Sequence, residues 1–237
     1  MGRLLQGASR KRVDGVSNVL TVFGLADGID IQEGMAAYER YHKTMRRIAY
    51  DWGYDMEQIV GAFCALSPNN DWIGNLRSLV TVLKAHRLGI SPDRVVTSTY
   101  NACKSRAWKC LGAEHFLDFT RGPKTRNFYT NIYCPEENHS VTIDGHMYGV
   151  WLGKRMTMKA VAEQRFNYNE VAHDFRTAAF HIGIRPNQVQ AVCWFTWKRI
   201  HKVLFKEQLG LFASGDQWGL LQDPELIEPF PFKGDSQ

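Results

Sequence analysis

Two side chains with chemical potential stand twenty positions apart, Lys124 and Asp144, each where the sequence marks a helix start. Gly122-Pro123 precedes the lysine, and proline suits the first helical position because its missing N–H has no partner there anyway. Val141-Thr142-Ile143 reads as a short extended segment that delivers Asp144 to an N-cap position. An amine near a helix N-terminus, with Lys104, Lys109, Arg121 and Arg126 around it, sits in positive potential that favours its neutral, nucleophilic form in a dry site. The same exposed N–H groups attract phosphate, so Lys124 has a second reading as an anion holder. Alone, Asp144 is a structural cap contributing about 1 kcal/mol; paired with Lys124 it becomes an acid–base candidate. His146, two positions on, is weighed first as a structural hydrogen-bonding group and second as a catalytic one.

The segments that must position this pair are helical. Tyr38, Tyr41, Met45 and Ile48 recur at helical spacing from residue 35 to 50. Residues 56–66 are apolar on most sides, as a covered central helix would be, and Ser67-Pro68 ends them because proline disfavours the helical conformation of the residue before it. The polar tip S-P-N-N-D follows, with Asn69 and Asn70 placed to meet a ligand between two core helices. A further helix carries Trp72, Ile73, Leu76, Leu79, Val80 and Leu83; Asp71 and Asn75 cap it or line the loop. Ser91-Pro92-Asp93 opens a basic segment holding Lys104, Arg106 and Lys109, which Gly112 closes, and residues 114–119 add a short helical turn. The cleanest stripe runs from Tyr168 to Ile182 and stops at Gly183; Pro186 opens the last long helix. On it Trp194 and Trp197 read as core, as does Trp72, with base stacking the minority reading. No strand series interrupts the pattern. The expected fold class is mainly α, an array of roughly ten short helices.

Composition narrows the function classes. With 237 residues, 44% of them hydrophobic and 22% charged, the chain can bury a sizeable core. A net charge of +5 permits a polyanionic partner without requiring one. Five widely spaced cysteines with no C-x-x-C pair argue against a disulfide scaffold, a zinc site or a four-cysteine iron–sulfur cluster, so no metal or cofactor is expected. The opening MGRLLQGASRKRVDG has no signal-peptide core and no apolar run approaches the ~20 residues of a bilayer span. The expectation is a cytoplasmic protein with no membrane partner, divided into a basic N-terminal arm (1–33), a helical domain (34–209) and an irregular tail (210–237).

Gly122-Pro123-Lys124-Thr125, then a helix with aromatic and aliphatic buried positions, then Val141-Thr142-Ile143-Asp144-Gly145-His146, resembles the helix-hairpin-helix DNA glycosylase superfamily. Its signature is a glycine-bearing hairpin, Lys-Thr and a later V-D-x-H. Leu66-Ser67-Pro68-Asn69 is similar to the Leu-Ser-x-Gln many members carry. The resemblance covers about residues 35 to 205. It implies a two-lobed helical fold, DNA as partner and a flipped nucleotide as substrate. Lys124 would attack the sugar anomeric carbon, and Asp144 would activate the attacking group and stabilise developing positive charge. Asn69, with Asn70 as the near alternative, would fill the space left by the extruded base. Lys104, Lys109, Arg121, Gly122, Thr125 and Arg126 would contact DNA. The chain departs from the family in its hairpin: of the two glycines in L-P-G-x-G, Asp118-Phe119-Thr120-Arg121-Gly122 keeps the second alone.

That departure also suits a bacteriophage branch of the superfamily, resembling enzymes that displace pyrophosphate from 5-(pyrophosphoryloxymethyl)uracil in DNA with an amine such as an amino acid or putrescine. There Lys124 would bind the leaving pyrophosphate and Asp144 would take a proton from the incoming amine. Base excision stands first, base hypermodification second, and a non-catalytic DNA-binding module third.

Overall fold

The computed structural model describes residues 13–202 apart from 69, 113–117, 120, 164 and 165, together with residue 229. The fold is mainly α: these residues form ten α-helices and one 3-10 turn, Pro92–Arg94, with no strand among them. In chain order the helices are α1 (Gly15–Gly24), α2 (Gly28–Trp52), α3 (Met56–Leu66), α4 (Trp72–Arg87), α5 (Asn101–Leu111), α6 (Pro123–Tyr133), α7 (Gly145–Leu152), α8 (Met158–Glu163), α9 (Tyr168–Ile182) and α10 (Pro186–Ile200).

Two buried clusters organise them. In the first, Phe63, Leu66 and Ile59 of α3 pack with Leu76, Leu79 and Leu83 of α4, Met45 and Ile48 of α2, and Ile132 of α6. The second joins Val19 and Val22 of α1, Met147 and Val150 of α7, and Val171 and Phe175 of α9. α10 serves both, giving Ala191 and Phe195 to the first and Val189, Cys193 and Trp197 to the second. A helix apolar on so many sides has to be surrounded, and full burial of each large side chain contributes about 1.5–3 kcal/mol.

α2 and α10 approach closely where Gly34 faces Val192. A Cβ at position 34 would lie 2.5 Å from the Val192 backbone, so a larger residue would push the helices apart. Two hydrogen bonds fix their register: the Tyr38 hydroxyl donates to Gln190 Oε1 at 2.6 Å, and Gln188 Nε2 donates to the Met35 carbonyl at 3.2 Å.

Within residues 1–33, assigned from sequence to a basic arm, residues 15–24 form α1 and residues 28–33 begin α2. Val19 and Val22 are buried, and Asp27 caps α2 in a reciprocal capping box with Asp30. Asp30 and Asp27 in turn hold Arg199 at the end of α10, at 2.7 and 3.1 Å. From sequence only a short apolar patch around Val19 to Leu25 stands out, because the ten residues of α1 bury just Gly15, Val19 and Val22. The arm's basic residues Arg3, Arg10, Lys11 and Arg12, residues 114–117 of the expected turn, and the expected tail apart from residue 229 lie outside the described residues. No described helix is long and apolar enough to cross a membrane.

Candidate active site

Asp144 and Lys124 reach the same place. Gly122 precedes α6 with φ 91° and ψ 150°, a conformation that suits glycine, and Pro123 occupies the first turn. Lys124 therefore leaves the chain in the first turn of α6. Eleven residues beyond α6, Asp144 caps α7: its Oδ1 accepts from the His146 and Met147 backbone N–H groups, both at 2.9 Å. Its Oδ2 accepts from Trp194 Nε1 at 3.1 Å, which ties the carboxylate to α10. Three N–H groups thus orient one carboxylate. A carboxylate has roughly four lone-pair sites, so capacity for a further partner remains.

The cavity these residues line has a volume of about 160 Å³ and lies beside α10 where the helix passes from one cluster to the other. Its walls are aromatic. Tyr41 and Trp72 are stacked with ring centroids 4.0 Å apart, Phe63 meets Trp72 edge-on at 4.9 Å, and Phe128 and Trp194 also line it. Burial pushes the Tyr41 phenol up to about 12, so it stays protonated at neutral pH.

Two polar atoms in this wall lack a partner among the described residues: the Trp72 Nε1 donor and the Asn75 Oδ1 acceptor, both buried. Asn75 Nδ2 already donates to the Phe63 carbonyl at 3.2 Å, which leaves the oxygen as the open side of that amide. A donor or acceptor left bare in this way costs about 1–3 kcal/mol.

A second lysine belongs to the site. Lys198 lines the cavity, is 8% exposed, and carries its Nζ 3.3 Å from the centroid of the Trp194 ring. Burial pulls its pKa down to about 7, against the opposing pull of Asp144 and Asp71. Asp71, the cap of α4, also lines the cavity, its carboxylate accepting from the Gly74 N–H at 2.6 Å.

The sequence-assigned residues fall out differently. Lys124, Asp144 and Asn70 line the cavity. Asn70 is held there by Ser98, whose hydroxyl donates to its Oδ1 at 2.6 Å, and by its own donation to the Leu66 carbonyl at 3.3 Å. His146 is half-buried in the first turn of α7 and is not among the lining residues. Burial lowers its pKa; Asp144 works against this, while Lys198, Arg155 and Lys124 work with it. Arg121, Gly122 and Arg126 are exposed beside Lys124, with Thr125 half-buried. Lys109 is exposed on α5, its Nζ 5.9 Å from the Phe119 ring centroid. Asn69 lies outside the described residues. Lys104 requires correction: it is 4% exposed, and its Nζ donates to the Val95 carbonyl at 3.0 Å, so it holds α5 to the preceding segment and is not a surface contact.

Trp72, Trp194 and Lys198 are what the sequence reading passed over. Trp72 and Trp194 were assigned to core, yet both line the cavity. One signal does point to the two on α10: Gln190, Trp194 and Lys198 recur every four residues, which places them on one face.

The chain is thus a mainly α protein with an aromatic cavity around an oriented carboxylate and two lysines. It belongs to DUF7178, a family of unknown function whose model matches residues 1–201. No curated protein and no solved structure matches it.

Proposed function

We propose that this protein is a DNA-acting enzyme that takes a flipped nucleotide into the aromatic cavity and excises its base, with a fold of the helix-hairpin-helix glycosylase type. The observation that carries this reading is the convergence of Lys124 and Asp144, from separate helices, on one cavity. Stacked aromatic walls suit a planar heterocycle, and base–aromatic stacking contributes about 1–3 kcal/mol per base.

Departure of a base leaves positive charge on the sugar. Asp144, fixed by three N–H groups, presents a carboxylate that needs no reorganisation to stabilise that charge. Exposed Arg121 and Arg126 flank Lys124 and would meet the phosphate backbone.

A second reading, transfer of an amine onto a pyrophosphorylated thymine, is favoured by one feature. Lys124 and Lys198 both line the cavity, and two ammonium groups suit a departing pyrophosphate better than a neutral base. Mass spectrometry of nucleosides separates the two after incubation with DNA carrying normal, damaged, 5-hydroxymethylated or pyrophosphorylated thymine. Free base in solution means excision. A heavier nucleoside in the polymer, formed only when an amine is supplied, means transfer, and neither product from any substrate rejects both.

A further inference from the structure

Lysines exposed on a surface keep their charge and their water; Lys198 has neither freedom. It is 8% exposed, set on α10 with its Nζ against the Trp194 ring, whose N–H is bonded to Asp144. The same indole therefore positions both an amine and a carboxylate at one wall of the cavity. Lys124 is half-buried in the first turn of α6 between the exposed Arg121 and Arg126, a setting that suits an anion contact.

We propose that Lys198, rather than Lys124, is the amine nucleophile of the cavity and condenses with the aldehyde carbon of an abasic deoxyribose. This rests on the reading of the site as DNA-acting. The lone pair of Nζ adds to C1′, forming a C–N bond while the carbonyl pair moves to oxygen. Asp144 first carries one proton from the nitrogen to the alkoxide, giving a carbinolamine, and then a second from the nitrogen to the hydroxyl, so that water leaves and a neutral imine remains. No oxidant or metal is needed. Desolvated lysines serve in this way because the attacking form is the uncharged one.

The groups facing Lys198 set its pH behaviour. Burial is the largest influence and favours the neutral amine; Asp144 at the start of α7 and Asp71 at the start of α4 favour the charged form, and Lys124 on α6 lines the same cavity with His146 behind Asp144 on α7. Condensation should accelerate as pH rises through about 7, where Nζ loses its proton.

The test uses the full chain with duplex DNA containing one abasic site, which removes the need to know the base. Sodium borohydride delivers hydride to any imine and fixes it as a secondary amine, and peptide mass mapping locates the adduct. The expected result is an adduct on Lys198 in the wild-type protein and in Lys124→Ala, and loss of nearly all of it in Lys198→Met, whose fold is checked by circular dichroism. An adduct on Lys124, an undiminished adduct in Lys198→Met, or no adduct overturns the proposal. Base release measured in parallel separates the two claims: release without an adduct removes the Lys198 nucleophile and leaves excision standing. An adduct on Lys198 without release from any base supports the amine and removes excision.

Discussion

Trp194 Nε1 donates to Asp144 Oδ2 at 3.1 Å, and this bond ties α10 to the carboxylate that caps α7. It holds the acid toward the cavity while the backbone of α7 occupies the other oxygen. Replacing Trp194 with Phe keeps an aromatic wall and removes the donor. Hydrogen bonds to charged groups contribute about 1.5–3 kcal/mol to stability, so the melting temperature should fall, and the rate constant of the chemical step should fall as well because α7 alone would then orient the carboxylate. Single-turnover kinetics check this, and an unchanged rate constant would show that α7 suffices to orient Asp144.

Asp144 has two roles that substitution can separate. Asparagine caps a helix about as well as aspartate, whereas alanine costs about 1 kcal/mol. Asp144→Asn should therefore keep the α7 cap and lose the Trp194 bond, Asp144→Ala should lose the cap as well and be less stable than the asparagine variant by about 1 kcal/mol in urea unfolding, and both should lose turnover. If the asparagine variant turned over like the wild type, the carboxylate would be a cap and nothing more.

Lys198 makes stability depend on pH. Its folded pKa of about 7 lies below the ordinary value of 10.5, so the unfolded chain binds the proton more tightly. The cost to folding is complete below pH 7, shrinks between about 7 and 10.5, and is gone above that. Wild type should gain stability across this window relative to Lys198→Met. At neutral pH the methionine variant should be the more stable by roughly 1–4 kcal/mol, the range seen when buried charges are replaced by apolar groups. Urea unfolding of both proteins from pH 6 to 10 measures the difference, and a difference independent of pH contradicts the buried amine.

Lys104 and the two arginines beside Lys124 should respond in opposite ways. Lys104→Ala leaves the Val95 carbonyl without its ammonium partner and should lower stability by about 1–3 kcal/mol, with DNA affinity unchanged in the folded protein. Arg121→Ala and Arg126→Ala should each reduce the salt slope of DNA binding by about 1. Fluorescence anisotropy over a salt series, beside thermal melts, distinguishes the two behaviours.

The helices were legible because their ends carry local chemistry. Ser67-Pro68 ends α3, Gly122-Pro123 and Asp144 open α6 and α7, and Gly183 closes α9 with φ 82°. The cavity was less legible because periodicity reports which face is covered, and a cavity wall is covered like a core. Trp72 and Trp194 obey the apolar stripe and still face the cavity. Lys104 misled for the converse reason. Its basic neighbours suggested a solvated face, although it precedes Ala107 by three positions and Leu111 by seven, on the buried stripe. Lys198 could be found only after the spacing of Gln190, Trp194 and Lys198 was tied to the carboxylate across the cavity.

The most direct test of the account compares wild type with Asp144→Asn on DNA containing the candidate bases, with products identified by mass spectrometry and binding measured on the same samples. The account predicts free base from the wild type, none from the variant, and equal DNA affinity for both. Equal product from the two proteins, or tight binding by the wild type with no altered base in any substrate, would contradict it.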